Sequence, residues 1–379
     1  MLIDYNNKTI YSLGLMSGTS LDGIDVAYVE HKTINGNTAH KLMHFKCYEY
    51  SQSLKQRILK NTNPATSRID EICSLNKEIG IAYKESIELF LNDFSIDISK
   101  ISFIACHGQT IYHIPSDINS LNKSTLQLGD MSEVVEKFKT IVVYDFRSRD
   151  TSAKGSGAPL VPMANFELFK NNAPIMLINI GGISNITYIP NENIDDLIAC
   201  DTGPGNMIID QLMRKLFNKE FDESGNVASN GTINVKLLEM LLDDDYYTKP
   251  FPKSTGREKY NEEYILKIID FIEKENISKQ DSLRTVTYLT SITLDIFVCK
   301  YIKNKDYKLI VSGGGSHNLT ILNDLKQLGY NVETIDDADG LEALSFSILG
   351  FLRLTNRVGN VKQITGALNY TKLGSIILP

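Results

Sequence analysis

Twice in this chain an apolar run stops at a tight turn of glycines and small polar residues, then resumes as a second apolar run. Leu13–Val29 does so around Ser17-Gly18-Thr19-Ser20-Leu21-Asp22-Gly23. Ile175–Ile189 does so around Gly181-Gly182-Ile183-Ser184-Asn185. Each stretch reads as a β-hairpin with a polar tip. Gly-rich hairpins are common, but one in each half of a chain suggests a duplicated architecture.

Further short apolar runs at Ile101–Ala105, Ile141–Tyr144 and Lys308–Val311 read as buried strands. Helical faces lie between them: Ile72, Leu75, Ile79 and Ala82; Ile208, Leu212 and Leu216; Val286, Leu289, Thr293 and Ile296. Strands alternating with helices define an α/β class. A length of 379 residues suits two domains or one two-lobed body. The expected division is residues 1–141 plus 348–379 against 142–347, with the halves packed across a cleft, where ligands usually bind.

A net charge of −7 argues against non-specific binding of nucleic acid or anionic membrane. It leaves room for an anionic substrate, because a local nest of N–H groups binds phosphate against the global field. No stretch has the apolar length of a membrane span, and the start of the chain lacks the pattern of a secretory signal. The five cysteines, Cys47, Cys73, Cys106, Cys200 and Cys299, are widely spaced and never form a CxxC pair. They read as reduced and mostly buried thiols of a cytoplasmic protein.

No Gly-Lys dipeptide occurs, which removes a Walker A loop, and neither GxSxG nor HExxH is present. The dinucleotide pattern GxGxxG is never completed. His40 and His44 have i,i+4 spacing but are expected in a polar, irregular segment rather than at a metal.

The positive signals each carry two readings. The tip Gly18–Gly23 is either a phosphate cradle with Asp22 available to a cation, or an ordinary turn. Asp201-Thr-Gly-Pro-Gly205-Asn206 precedes a helical pattern. Its amides could face a phosphate and Asp201 could act as a general base, or Asp201 could be an N-cap. Gly313-Gly314-Gly315-Ser316 is a backbone platform for a base or ribose, or a plain strand-to-helix turn. His107, Gln109 and Thr110 gather polar groups at a strand end, as do Asp145, Arg147 and Asp150. Arg147 could fork a carboxylate or pair with a structural aspartate.

In order along the chain, MSGTSLDGID, CHGQTIYH, LQLGD, DFRSRD with GAPLVP, NIGGISNIT, DTGPGNM, PKSTGREKYN, SGGGSHN and LEALSF closely resemble the motifs of the anhydro-N-acetylmuramic acid kinase family. The resemblance implies a duplicated actin-like (ribonuclease H-like) ATPase fold with two lobes around a nucleotide cleft. It implies ATP, Mg²⁺ and an anhydrosugar as ligands, no nucleic acid or membrane partner, and a homodimer. The implied reaction opens 1,6-anhydro-N-acetylmuramic acid with water and phosphorylates O6, serving peptidoglycan recycling. Asp201 matches the catalytic aspartate. The implied ATP-binding set is Gly18, Thr19, Ser20, Leu21, Asp22, Gly23, Ile24, Asp25, Gly181, Gly182, Gly205, Asn206, Gly313, Gly314 and Gly315. His107, Gln109, Thr110 and Arg147 would face the sugar, and Asp22 with Glu342 would hold the metal. Gly340 stands where the family commonly has an aspartate. A levoglucosan-type kinase, and an actin-like ATPase that binds a protein partner, are the competing readings.

Overall fold

A computed structural model describes residues 3–379 except 19–20, 119, 257, 304–305 and 335–339. Its strands are β1 (Thr9–Ser17), β2 (Gly23–Ile34), β3 (Asn37–Glu49), β4 (Ile101–Ile114), β5 (Ser124–Leu128), β6 (Ile141–Tyr144), β7 (Ile175–Ile180), β8 (Ile183–Ile189), β9 (Ile198–Pro204), β10 (Lys308–Ser312), β11 (Val332–Thr334) and β12 (Ser375–Ile377). Every apolar run read as a strand is a strand. The chain divides into two compact units, Met1–Leu168 with Gly340–Pro379, and Phe169–Asp339.

The first unit holds a sheet in the order β12-β6-β4-β1-β2-β3, with β5 paired to β4. Strands β1, β2 and β3 form an antiparallel meander, and β4 and β6 add in parallel on the far side of β1. The second unit repeats the plan in the order β11-β10-β7-β8-β9. There β7, β8 and β9 are the meander, and β10 and β11 are the parallel additions. Parallel neighbours need crossover connections, and the intervening helical segments supply them. The repeated order is the duplicated architecture that the paired hairpins suggested, in the ribonuclease H-like form that the resemblance implies.

Each sheet is covered by an amphipathic helix. Ile69–Asp93 buries Leu75, Ile79, Tyr83, Ile87 and Phe90, one residue per turn, against the core of the first unit. The helix Leu341–Leu354 lies close over β1: a Cβ at Gly14 would come 2.0 Å from the Ala343 carbonyl oxygen. In the second unit, Lys279–Tyr301 starts at an N-cap, Ser278, whose side chain accepts from the Asp281 amide, and it buries Val286, Leu289 and Thr293.

Three expectations need correction. Residues 142–168 and 340–347 belong to the first unit, not the second. The reason is pairing: β6 joins β4 and β12, and the helix from Leu341 packs on β1. His40 and His44 are on strand β3, where His40 Nδ1 bonds His31 Nδ1 at 2.6 Å and the His44 ring stacks on Phe94. All five thiols are free as expected, but only Cys106 and Cys200 are buried. Cys47, Cys73 and Cys299 are exposed.

Candidate active site

The polar features of the second unit converge on the turn between β7 and β8. Gly181 and Gly182 form that turn, and the chain leaving β9 docks onto it. The Gly205 amide donates to the Gly182 carbonyl (2.9 Å), Asn206 N to Gly181 O (2.8 Å) and Met207 N to Gly182 O (3.2 Å). A Cβ at Gly205 would lie 2.3 Å from Gly181 O, so only glycine permits this approach. The third turn, after β10, joins the same group. Gly313 has φ +75°, and its missing Cβ makes room for the Asn179 side chain and the Ile180 carbonyl. The Asn206 side-chain Nδ2 donates to Ile180 O at 3.3 Å and lies beside Gly314.

This docking corrects one expectation. The amides of Gly205, Asn206 and Met207 are not free to face a phosphate, because the carbonyls of the hairpin turn already take them. In the hairpin turn the half-buried Gly181 already donates its amide to Ile183 O at 3.2 Å, so the exposed Gly182 is the turn residue whose amide is open to a ligand; Gly314 is exposed as well.

Asp201 sits within β9, opposite Asn185 and next to a bulge that leaves Thr202 unpaired in register. It is therefore a strand residue and not a helix N-cap. Its Oδ2 accepts from the Thr255 amide at 2.9 Å, and its backbone oxygen accepts from the Tyr246 hydroxyl at 2.8 Å. Burial raises its carboxyl to about 6. The Thr255 amide opposes the shift and the charge of Glu258 adds to it. At neutral pH the group is mostly ionised yet basic enough to take a proton, which suits a general base.

The segment around Asp201 is the part of the site that was not assigned from sequence. PKSTGREKYN matches a motif of the family, but the sequence alone assigns it no role. In the fold it supplies Thr255 to Asp201, and Lys253 Nζ lies 4.5 Å from the Tyr246 ring centroid. The Lys259–Asp244 ion pair (2.7 Å) holds the segment to the short helix Asp245–Thr248. Glu258→Gln is expected to move the acid limb of the kcat/KM–pH profile from near pH 6 to lower pH. The neighbouring negative charge is one of the two causes that raise Asp201. A limb that stayed in place in a pH series would remove Glu258 from the account.

In the first unit the hairpin tip connects β1 to β2. Thr19 and Ser20, expected phosphate ligands, lie outside the described residues. Leu21 and Ile24 bury their side chains in the core, so only their backbones are available to a ligand. Gly23 and Ile24 are already in β2, and Asp25 is half-buried beyond them, paired in register with Met16 and Cys47. Asp22 is exposed.

His107 and Arg147 do come together. Arg147 Nε donates to His107 Nε2 at 2.8 Å, and Nη1 donates to Gly157 O at 2.7 Å. An arginine cannot accept, so His107 uses its Nε2 lone pair and carries its proton on Nδ1. Burial and the Arg147 charge hold His107 well below its ordinary pKa, so it is neutral. Burial lowers Arg147 to about 10, which leaves it charged at neutral pH. Its Nη2 has no protein acceptor among the described residues. Asp150 is structural: its carboxylate takes the Gly157 amide, the Asn360 side chain and the Thr365 hydroxyl, each at 2.8 Å. Glu342 keeps solvent contact in the first turn of its helix. Partial burial raises its carboxyl, and Arg147 opposes that shift.

A cavity of about 410 Å³ in this unit is lined by His107, Gln127, Asp130, Tyr144, Asp145 and Ser148 among others. Gln109, Thr110 and Arg147 do not line it. Gln109 is fully buried, and Thr110 Oγ1 accepts from Gln127 Nε2 at 3.3 Å.

Among the described residues no three His, Cys, Asp or Glu side chains gather as a metal cage. Mg²⁺ on a nucleotide needs less: one or two carboxylates, phosphate oxygens and waters. Asp22 and Glu342 both present solvent-accessible carboxylates and fit that requirement.

The family model described as Anhydro-N-acetylmuramic acid kinase matches residues 10–379. A Clostridioides difficile protein of that name is 40% identical, covering 97% of this chain and 98% of its own length. A namesake from Francisella tularensis subsp. novicida is 38% identical over the same shares. Among solved structures, the activator of a 2-hydroxyisocaproyl-CoA dehydratase from Clostridium difficile with bound ADPNP aligns at TM-score 0.45 and 12% identity, covering 92% of this chain and 96% of that one. A Schistosoma mansoni hexokinase complexed with glucose aligns at TM-score 0.33 and 10% identity, covering 90% and 86%. With its motifs, its duplicated sheets and a full-length match, this chain belongs to the anhydro-N-acetylmuramic acid kinase family.

Proposed function

We propose that this chain is an ATP-dependent kinase that opens the 1,6-anhydro ring of anhydro-N-acetylmuramic acid with water and phosphorylates O6. The products are N-acetylmuramic acid 6-phosphate and ADP, and the reaction serves peptidoglycan recycling. The observation that carries the reading is Asp201: a carboxylate raised to about 6, on the strand that runs into the glycine turn cluster, in a chain of this family. Asp201 takes a proton from a water whose oxygen bonds to C1 of the sugar. The C1–O6 bond breaks, and O6 bonds to the γ-phosphorus as ADP leaves. Phosphoryl transfer of this kind needs mainly positioning and charge neutralisation.

Gly181 and Gly182 are assigned to the nucleotide's phosphates and Gly313–Gly315 to its adenosine; by the family resemblance Gly18 and Asp22 also belong to the ATP-binding set. Arg147 offers Nη2 to the lactyl carboxylate, and neutral His107 fixes the guanidinium through Nε. Asp22 and Glu342 would hold Mg²⁺, which neutralises phosphate charge when bound. The described residues contain no helix long and apolar enough to cross a membrane. The reading places the enzyme in the cytoplasm, where ATP is available, and keeps the homodimer that the family resemblance implies.

Turnover in ¹⁸O-labelled water tests the whole scheme. Mass spectrometry should find the label at C1 of the phosphosugar. Unlabelled product, or ATP hydrolysis without a phosphosugar, would overturn it. Levoglucosan in a parallel assay should be the poorer substrate.

A further inference from the structure

We infer that Gln109 is a positioning residue for nucleotide binding, which clamps the tip of the first hairpin, and not a sugar contact. The inference rests on the proposed reading of the Gly18 turn as part of the ATP-binding set. Gln109 lies on β4, opposite Ser17 at the end of the parallel ladder with β1. Beyond Ser17 the backbone pairing stops, and the Gln109 side chain carries it one step further. Its Nε2 donates to the Gly18 carbonyl at 3.1 Å and to Thr110 O at 3.3 Å. Its Oε1 accepts from the Tyr50 hydroxyl at 3.1 Å.

The amide orientation follows from its partners. With nitrogen and oxygen exchanged, the oxygen would face two carbonyl oxygens, so only the described orientation satisfies the group. Both N–H donors are then engaged and the side chain is fully buried, which leaves it nothing to offer a sugar. The Gly18 carbonyl also accepts from the Leu21 amide at 3.3 Å, closing the turn. One residue earlier, Ser17 Oγ bonds the hydroxyl of the fully buried Tyr83 and lies 3.4 Å from the Gly108 carbonyl. Two successive residues at the base of the tip are thus held by side-chain bonds to the body of the unit. That fixes the direction in which the chain leaves β1.

Steady-state kinetics on the purified chain test the clamp, with each substrate varied at saturating levels of the other. Gln109→Leu leaves the Gly18 carbonyl and the Tyr50 hydroxyl without this partner. It should lower kcat/KM for ATP on the order of tenfold to hundredfold, with KM for the anhydrosugar within about twofold of wild type. Tyr50→Phe keeps the ring's packing and removes the hydroxyl that orients the amide and also bonds Ser17 and Tyr83 at the base of the tip. It should cause a smaller loss in the same direction, and it keeps the test readable should Gln109→Leu fail to fold. A raised sugar KM with ATP parameters unchanged would make Gln109 a sugar contact. Equal losses for both substrates, or no change, would also overturn the clamp. If the wild type itself fails to phosphorylate the anhydrosugar, that counts against the proposed function alone. Calorimetric ATP titration then still reads the clamp, which wild-type affinity in both variants would overturn.

Discussion

Asp201→Asn is expected to lower kcat by about 10²–10⁴-fold, the usual cost of losing a general base, with KM for ATP close to the wild-type value. The substitution isolates basicity because it disturbs so little else. Asparagine has the same shape, and its oxygen can still accept from the Thr255 amide. The Tyr246 hydroxyl bonds the backbone oxygen of residue 201, and the residue's own amide donates to Lys253 O at 3.3 Å. Neither bond involves the side chain. The variant should also become more stable relative to wild type as pH rises from about 4 to about 6. The folded carboxyl titrates at about 6, above its unfolded value near 4, so folding favours the proton. Wild type and variant should therefore melt alike below about pH 4. The variant's margin over wild type should grow as pH climbs to about 6, where the wild type has to bury a charge. Wild-type turnover in the variant would sink the general-base role. A melting difference that narrowed with rising pH would sink the burial account.

The parts of this site that were legible in the sequence are local ones. A run such as Ile175–Ile180 followed by two glycines specifies its own strand and turn. Asp201 could be placed because its strand and the Gly203–Gly205 stretch lie beside it in the chain. What sequence reading missed depends on partners far along the chain. The amides after Gly205 looked free for a phosphate, but the carbonyls of a turn more than twenty residues earlier take them. Thr255 reaches Asp201 across a separation of fifty-four residues. Gln109 was read as facing a ligand, yet Gly108 at φ +82° breaks the regular strand there, and the side chain turns into the core instead. The boundary near residue 141 failed for the same reason. Ile141–Tyr144 is recognisable as a strand, but nothing within it says that it pairs with β4 and β12.

Two alanines in the glycine turns of the second unit should separate fold from function. At Gly205 the new Cβ would meet the Gly181 carbonyl oxygen at 2.3 Å and the Ile183 carbonyl carbon at 3.1 Å. Both are backbone atoms and cannot rotate away, so the helix start has to lift off the hairpin turn. Overpacking of this kind costs roughly 1–3 kcal/mol, and the displaced amides of Gly205, Asn206 and Met207 add to it. A 1 Å misplacement of the turn would itself lower turnover on the order of 10²-fold. Gly205→Ala should therefore lose both melting temperature and activity. At Gly181, by contrast, a Cβ would meet nothing nearer than 3.8 Å, so Gly181→Ala should change stability by no more than about 0.5 kcal/mol. If the turn holds phosphate, the added methyl narrows the space for the anion, and ATP affinity should fall while the melting temperature does not. Thermal melts paired with ATP titrations read both variants. Unchanged ATP affinity in Gly181→Ala would move the phosphates away from this turn. A stable, fully active Gly205→Ala would show that the helix start does not need its seat on the hairpin.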